Sequence, residues 1–311
     1  MRLLALFLAL SSALPSAAHA QDLLLRLPID CTLGAECDLQ QFVDADPGPG
    51  ARDRWGGPLT YDGHGGTDLR VTDLEAMAAG VPVRAPADGT VVGTRDGEPD
   101  RLVTDPDAVT ARECGNGVRL DHGNGWETQL CHMARGSVAV RTGDRVAAGD
   151  VLGAVGLSGL TQFPHVHLSV ERGGATVDPF EPGSGARFDP PVTPAFGGLL
   201  SAGFAAGIPD YADVKAGTAD AARLPPDAPA LVVWAYAFGG RAGDSIDLRI
   251  AGPDGAEAFS TTVILDRTQA ELFRAAGRRG PWTPGTYRGE AVLRRDGAVL
   301  DRIETTVEVG R

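Results

Sequence analysis

The chain has 311 residues, with 41 acidic side chains against 28 Lys and Arg and a formal net charge of -13 at neutral pH. That balance excludes the basic face a nucleic acid needs and the polybasic patch an anionic membrane needs. The length suits two modest domains, at roughly 100–200 residues per domain.

The first twenty residues read as a secretory signal peptide. Arg2 supplies a positive start, residues 3–10 are almost wholly apolar, and Ala18 and Ala20 offer small side chains before the cleavage point. The apolar run is too short to span a bilayer, no cysteine follows the cleavage point directly, and no later segment is apolar enough for a transmembrane helix. The mature chain is therefore expected to be exported, periplasmic or extracellular, and monomeric. Cys31, Cys37, Cys114 and Cys131 are even in number, which in an exported chain points to disulfides. Four cysteines allow three pairings, of which the sequence-near pairs Cys31–Cys37 and Cys114–Cys131 are favoured here.

Residues 21–54 carry few periodic signals and read as a lead-in segment. Residues 55–185 read as short strands broken by turns: 81–85, the Asp88-Gly89 turn, 90–92, 117–122, the Asn124-Gly125 turn, 126–132 and 138–141. Asn-Gly and Asp-Gly between apolar runs are hairpin signals. Residues 96–113 are polar and read as an inserted loop. Residues 186–229, rich in Pro, Gly, Ala and Asp, read as a linker with a short ordered piece at 199–208. Strands resume over 230–311, with a helix expected at 267–276 and the Asp296-Gly297 turn joining the last two strands. The fold class is thus mainly β: an antiparallel β-sheet domain, then a small β-sandwich of Ig-like type. Trp234, Tyr236, Trp282 and Tyr287 are expected in the sandwich core; only an exposed cluster of them would make a binding face.

Histidines divide the two halves. His19 leaves with the signal peptide, the other five lie between His64 and His167, and the C-terminal third has none. His64-Gly-Gly-Thr-Asp68 has the i, i+4 spacing of a helix face, but its two glycines favour a loop entering a strand. His165-Val-His167 has strand composition, and residues i and i+2 of a strand share a face. Two adjacent imidazoles coexist most easily when a cation binds one in its neutral form. His132 ends a strand after Cys131, and His122 before a hairpin turn reads as structural. Two histidines and one aspartate supply three zinc ligands and leave the fourth tetrahedral position for water, the catalytic arrangement. Zinc lowers the pKa of that water to about 7. His132 and one member of the 165/167 pair can then serve proton transfer and oxyanion stabilisation.

These motifs resemble those of the M23 family of zinc peptidases, the lysostaphin-like or LytM-like peptidoglycan endopeptidases. The family's HxxxD motif stands as His64-Gly-Gly-Thr-Asp68, its HxH motif as His165-Val-His167, and its middle histidine as His132 in Leu130-Cys131-His132-Met133. The glycine-punctuated stretch 141–159 before HxH is similar as well. The resemblance implies an antiparallel β-sheet peptidase domain with a narrow groove that holds one Zn2+ per chain through His64, Asp68 and His167, with His132 and His165 as catalytic, non-ligating histidines. It implies peptide bonds of peptidoglycan cross-links as substrate. The tyrosine usual in the middle motif is Leu130 here, and a glutamate often found after HxH is Ser169; both bear on substrate choice. A non-enzymatic envelope regulator on the same fold is the rival reading, against which all five positions are intact. A lipoyl- or biotinyl-carrier domain shares the glycine turns but needs an acceptor lysine, and the one lysine, Lys215, lies in the linker.

Overall fold

The computed structural model describes residues 22–103 and 105–310; the expected signal peptide lies outside them. In chain order the first half comprises β1 (Leu23–Leu25), β2 (Cys37–Gln41), β3 (Thr67–Val71), α1 (Leu74–Ala78), β4 (Pro82–Arg84), β5 (Gly89–Arg95), β6 (Asn116–Gly123), β7 (Trp126–Met133), β8 (Arg145–Val146), β9 (Val151–Ala154), β10 (His165–Arg172), β11 (Ala175–Thr176) and β12 (Ala186–Phe188). The second half comprises β13 (Gly198–Ala205), α2 (Tyr211–Ala216), β14 (Arg223–Leu224), β15 (Ala230–Gly240), β16 (Ser245–Ala251), β17 (Glu257–Ile264), β18 (Gln269–Arg279), β19 (Gly285–Arg295) and β20 (Ala298–Val309). A single 3-10 turn, Pro106–Val109, interrupts the polar 96–113 loop.

The main sheet runs β2-β3-β10-β7-β6-β5-β8, with β11 on the free end of β10 and all these pairs antiparallel. Its turns follow from local chemistry. Asn124 and Gly125 sit at φ 54° and 78°, which matches the twist of a two-residue hairpin and joins β6 to β7. Asp296 and Gly297, at φ 53° and 80°, do the same between β19 and β20. Leu69, Leu120, Leu130, Val166 and Leu168 alternate inward along the sheet and pack with Leu25, Leu39 and Phe42 into one core.

That core draws on the segment read as a lead-in. Residues 21–54 contain β1 and β2, and Leu23, Leu25, Ile29, Leu39 and Phe42 are buried there. β2 is an edge strand of the main sheet, held by β3 rather than by its own periodicity. The segment read as a linker likewise carries β12, β13, α2 and β14. The strand expected over 138–141 does not form.

The second half packs a three-stranded sheet, β13-β15-β18, against a five-stranded one, β14-β20-β19-β16-β17. Leu231, Val233, Ala235 and Ala237 of β15 meet Ile246, Leu248, Leu293 and Val307 between the layers. The alternate residues Trp234 and Tyr236 face the other way, onto Val214 of α2, so β15 is buried on both faces. Trp234, Tyr236, Trp282 and Tyr287 are all buried, which leaves none of the four for an exposed binding face. The helix expected at 267–276 is corrected: this stretch lies within β18, paired with β15 from Ala230↔Arg279 to Gly240↔Gln269. Its Ala, Glu, Leu and Arg residues favour helix locally, but a strand sends Leu272 into the sandwich core and Phe273 to the opposite cluster. Packing on two faces overrides propensity.

The halves meet through Arg70 of β3, which is fully buried. All five of its N–H donors are engaged. Nε donates to Val71 O, Nη1 to Gln40 Oε1 and Glu271 Oε1, and Nη2 to Thr72 O and Tyr236 Oη.

Candidate metal centre

Three neighbouring strands bring the motifs together. In the register of β3 with β10, His167 faces Asp68 and His165 faces Arg70; in that of β10 with β7, His167 faces Cys131. His132, one residue beyond Cys131, therefore comes up beside the same spot. His64 enters from the loop ahead of β3. Gly66 makes this entry possible: a Cβ there would stand 2.5 Å from His167 Nε2 and 2.6 Å from Leu168 O. The glycines thus argue correctly against a helix, and the second one makes room for the His167 ring.

His64 Nδ1 donates to Phe42 O at 2.7 Å, which turns the unprotonated Nε2 inward. Ser169 Oγ stands 3.0 Å from His167 Nε2 and accepts its N–H, leaving Nδ1 with the free lone pair. His64 Nε2, His167 Nδ1 and Asp68 Oδ1 then form a triangle with edges of 3.1, 2.8 and 3.2 Å. Tetrahedral zinc with bonds of about 2.0–2.1 Å has ligand–ligand edges of about 3.3 Å. Three lone-pair atoms converge at nearly that spacing, and all three residues are buried or half-buried. The donor set fits a zinc ion and has outer partners that fix both imidazole orientations. Burial opposes a charge on both His64 and Asp68, yet their mutual attraction raises the pKa of the histidine and, with His165, holds the carboxyl well below its usual range.

His132 and His165 stand beside this triangle, their rings 4.6 Å apart. His132 Nδ1 donates to Ser158 O at 2.8 Å, and His165 Nδ1 to Phe163 O at 2.9 Å with Thr161 Oγ1 at 3.1 Å. Each Nε2 is thereby the free lone pair, that of His165 lying 3.6 Å from Asp68 Oδ1. Burial, then the neighbouring imidazoles, depresses the pKa of His132 well below normal; burial also lowers that of His165, against the pull of Asp68. Burial thus favours the neutral form of both rings. His132 holds φ 63°, the left-handed region, which costs a non-glycine residue on the order of 1–2 kcal/mol. Its N–H donates to Cys114 O at 2.8 Å, and Cys114–Cys131 closes the same corner. Both sequence-near disulfides are present.

His122 lies apart, held by Asp88 O and Thr128 Oγ1, as its structural reading requires. Sequence reasoning missed Phe42 and Tyr61, and it named Ser169 only as a departure after HxH, not as a partner of His167. Phe42 contributes a carbonyl, which no side-chain pattern signals. Ser169 shares its strand face with His167 by the i, i+2 rule already applied to the histidines. Tyr61 packs its ring 4.6 Å from His64. It borders a groove of about 550 Å³ that is also lined by Asp68, His132 and His165 and, from the second half of the chain, by Tyr211, Lys215 and Glu271.

A mainly antiparallel β fold carrying a His, Asp, His cluster with two further histidines alongside is the class of a metallopeptidase domain. Residues 62–179 match Peptidase family M23, and the chain carries a domain of that family. It is 33% identical over 107 residues to the peptidoglycan DD-endopeptidase ShyA of Vibrio cholerae, covering 34% of this chain and 20% of the relative. It is 33% identical over 106 residues to the DD-carboxypeptidase/endopeptidase Mpg of Neisseria meningitidis, covering 33% and 20%. The chain thus spans about a fifth of the length of these relatives. Among solved structures it is similar to the catalytic domain of the prophage-encoded M23 protein EnpA from Enterococcus faecalis, at 22% identity and a TM-score of 0.34, covering 49% of this chain and 95% of that one.

Proposed function

We propose that the protein is an exported, zinc-dependent metalloendopeptidase that hydrolyses peptide bonds in peptidoglycan cross-links. The observation that carries this reading is the convergence of three lone-pair atoms from His64, Asp68 and His167, with two neutral, oriented histidines facing the same groove. The family match and the relatives named as peptidoglycan endopeptidases support the substrate class.

His64, Asp68 and His167 would hold one zinc ion, which when bound supplies a Lewis acid and a water acidic enough to deprotonate near neutral pH. His132 and His165 each present an unprotonated Nε2 to the groove. Either can take the proton of an attacking water and return it to the leaving amine. The protonated partner can donate to the oxyanion that develops on the scissile carbonyl. Their buried Nδ1–H bonds hold the rings still, so no reorientation is needed during turnover. Phe163 stacks on His165 at 4.3 Å between ring centres and keeps one face of that imidazole dry.

Digestion of purified peptidoglycan by the mature protein, with and without chelator, tests the reading. Chelator-sensitive release of new amino and carboxyl termini is expected, and their identity names the bond. Intact peptidoglycan after incubation with zinc-loaded protein would overturn it in favour of a non-enzymatic envelope regulator.

A further inference from the structure

We infer that Lys215 of α2 is a positioning residue: it braces the 160–163 loop and through that loop fixes the ring of His165. This rests on the peptidase reading and deepens it. Lys215 lies outside residues 62–179, the stretch that matches the peptidase family, so the brace reaches the site from the second half of the chain.

Residues 157–163, ahead of β10, lie in no helix or strand, so no ladder fixes them. Three contacts from this loop nonetheless set the His165 ring. The Phe163 carbonyl accepts from Nδ1, Thr161 Oγ1 stands 3.1 Å from the same nitrogen, and the Phe163 ring stacks on the imidazole. Thr161 Oγ1 also donates to Phe163 O at 2.7 Å, which joins these contacts into one unit. A shift of the loop therefore moves His165 Nε2. The first half holds the loop at two points: Leu160 N–H donates to Glu113 O at 2.7 Å, and Val103 N–H donates to Thr161 O at 2.8 Å. The Gln162 carbonyl, between Thr161 and Phe163, is held from the second half, where Lys215 Nζ donates to it at 2.7 Å. Lys215 is itself anchored. Nζ also donates to Glu271 Oε2 at 2.9 Å, and Glu271 Oε1 accepts from Arg70 and Tyr236. The side chains of Lys215 and Glu271 are only 17% and 11% exposed, so water competes little for bonds that the ammonium charge strengthens. Arg70 completes the unit, its guanidinium 5.2 Å from the centre of the Phe163 ring. Proton transfer needs Nε2 within hydrogen-bond reach of the reacting water, and a displacement of about 1 Å costs on the order of 10²-fold in rate. Substrate binding does not need that reach, so loss of the brace falls on kcat. Lys215 also lines the groove, and direct contact with substrate, the competing role, falls on KM.

The test uses the full mature chain loaded with zinc and a soluble cross-linked peptidoglycan peptide. Lys215→Met keeps an unbranched side chain and removes its N–H donors. It is expected to lower kcat about tenfold while KM and zinc content stay at wild-type values. Lys215→Arg can still donate to both oxygens and is expected to restore most of the rate. Hydrogen exchange followed by mass spectrometry gives a readout apart from turnover: residues 157–164 exchange faster in Lys215→Met, and residues 116–123 exchange as in the wild type. A rise in KM at unchanged kcat overturns the positioning role and makes Lys215 a substrate contact. Exchange of 157–164 at the wild-type rate, or a Lys215→Arg chain no faster than Lys215→Met, overturns it too. Should Lys215→Met not fold, acetylation of the folded wild type decides, because Lys215 is the one lysine of the chain; Lys215→Arg treated in parallel corrects for the terminal amine. A wild type that cleaves no peptide overturns the peptidase reading, whereas equal kcat in wild type and Lys215→Met overturns the brace alone.

Discussion

Each of the four clustered histidines has a backbone or side-chain partner that fixes which ring nitrogen it presents, and on the proposed function this distinguishes ligands from proton carriers. Replacing His64, Asp68 or His167 by Ala removes one of three ligands and is expected to lower zinc content sharply, while His132→Ala and His165→Ala keep zinc and lose turnover by on the order of 10²-fold. Metal analysis beside peptide-cleavage rates checks both halves; full zinc in His167→Ala would dismiss the ligand set. A second outcome at this scale concerns pH. Burial pushes the Asp38 carboxyl up to about 6, with Arg70 only partly offsetting it. Its folded pKa lies above its unfolded one, so the folded state holds the proton more tightly. Stability from this group is present below about pH 4 and is lost as pH rises through 6, by up to about 3 kcal/mol before solvent screening. Asp38→Asn should therefore melt higher than wild type at pH 7 and at the same temperature at pH 3.5. Equal melting of the two at pH 7 would show that Asp38 ionises freely.

Among the elements, β7 carries the sharpest local demand. It must hold His132 in a left-handed backbone between Cys131 and Met133, both of which remain in the ladder, and the Cys114 carbonyl and disulfide meet that demand together. Removing the bond with the double variant Cys114→Ala, Cys131→Ala should relax the corner and lower activity more than zinc content, because none of the three ligands depends on it. Parallel loss of zinc and activity would mean that β10 moves with β7. The β2 bulge is the second such device. Its register shift between Leu39 and Gln41 pairs Gln41 rather than Gln40 with Asp68, so the side chains after the bulge fall on the faces opposite to those of strict alternation.

Across the whole molecule, the two halves are tied by a buried charge network centred two residues along β3 from Asp68. Arg70 and Asp68 lie on the same face of β3, and Arg70 reaches across to Glu271 and Tyr236. Removing one partner of a buried ion pair strands the other, typically at about 3–5 kcal/mol. Glu271→Gln should lose about that much stability in chemical denaturation; a loss under 1 kcal/mol would mean that water reaches Arg70. A chain ending at Gly185 takes Glu271 and Tyr236 away from Arg70 and removes the Tyr211, Lys215 and Glu271 lining of the groove. It is expected to be destabilised and to fail on soluble peptides as well as on insoluble wall. Full activity of that shortened chain on soluble peptide would show that the second half serves only as a spacer.

The sequence by itself determined the local chemistry. Motif spacing and strand periodicity were enough to put His165 and His167 on one face, to make a helix untenable at Gly65-Gly66, and to mark Asn124-Gly125 and Asp296-Gly297 as hairpin turns, because each depends on residues within a few positions. Cysteine count and spacing likewise pointed to the two disulfides. Only the tertiary structure decided which carbonyls orient the imidazoles, that residues 37–41 complete the main sheet, and that 269–279 is a strand rather than a helix. It also decided that Lys215, read as part of a linker, stands at the groove. Apart from the Phe163 carbonyl, which lies 2 residues from His165, these depend on partners distant in the chain, from 22 residues for His64 with Phe42 to 201 for Arg70 with Glu271. A weakly patterned segment takes its conformation from the surface that buries it, and no local periodicity records that surface.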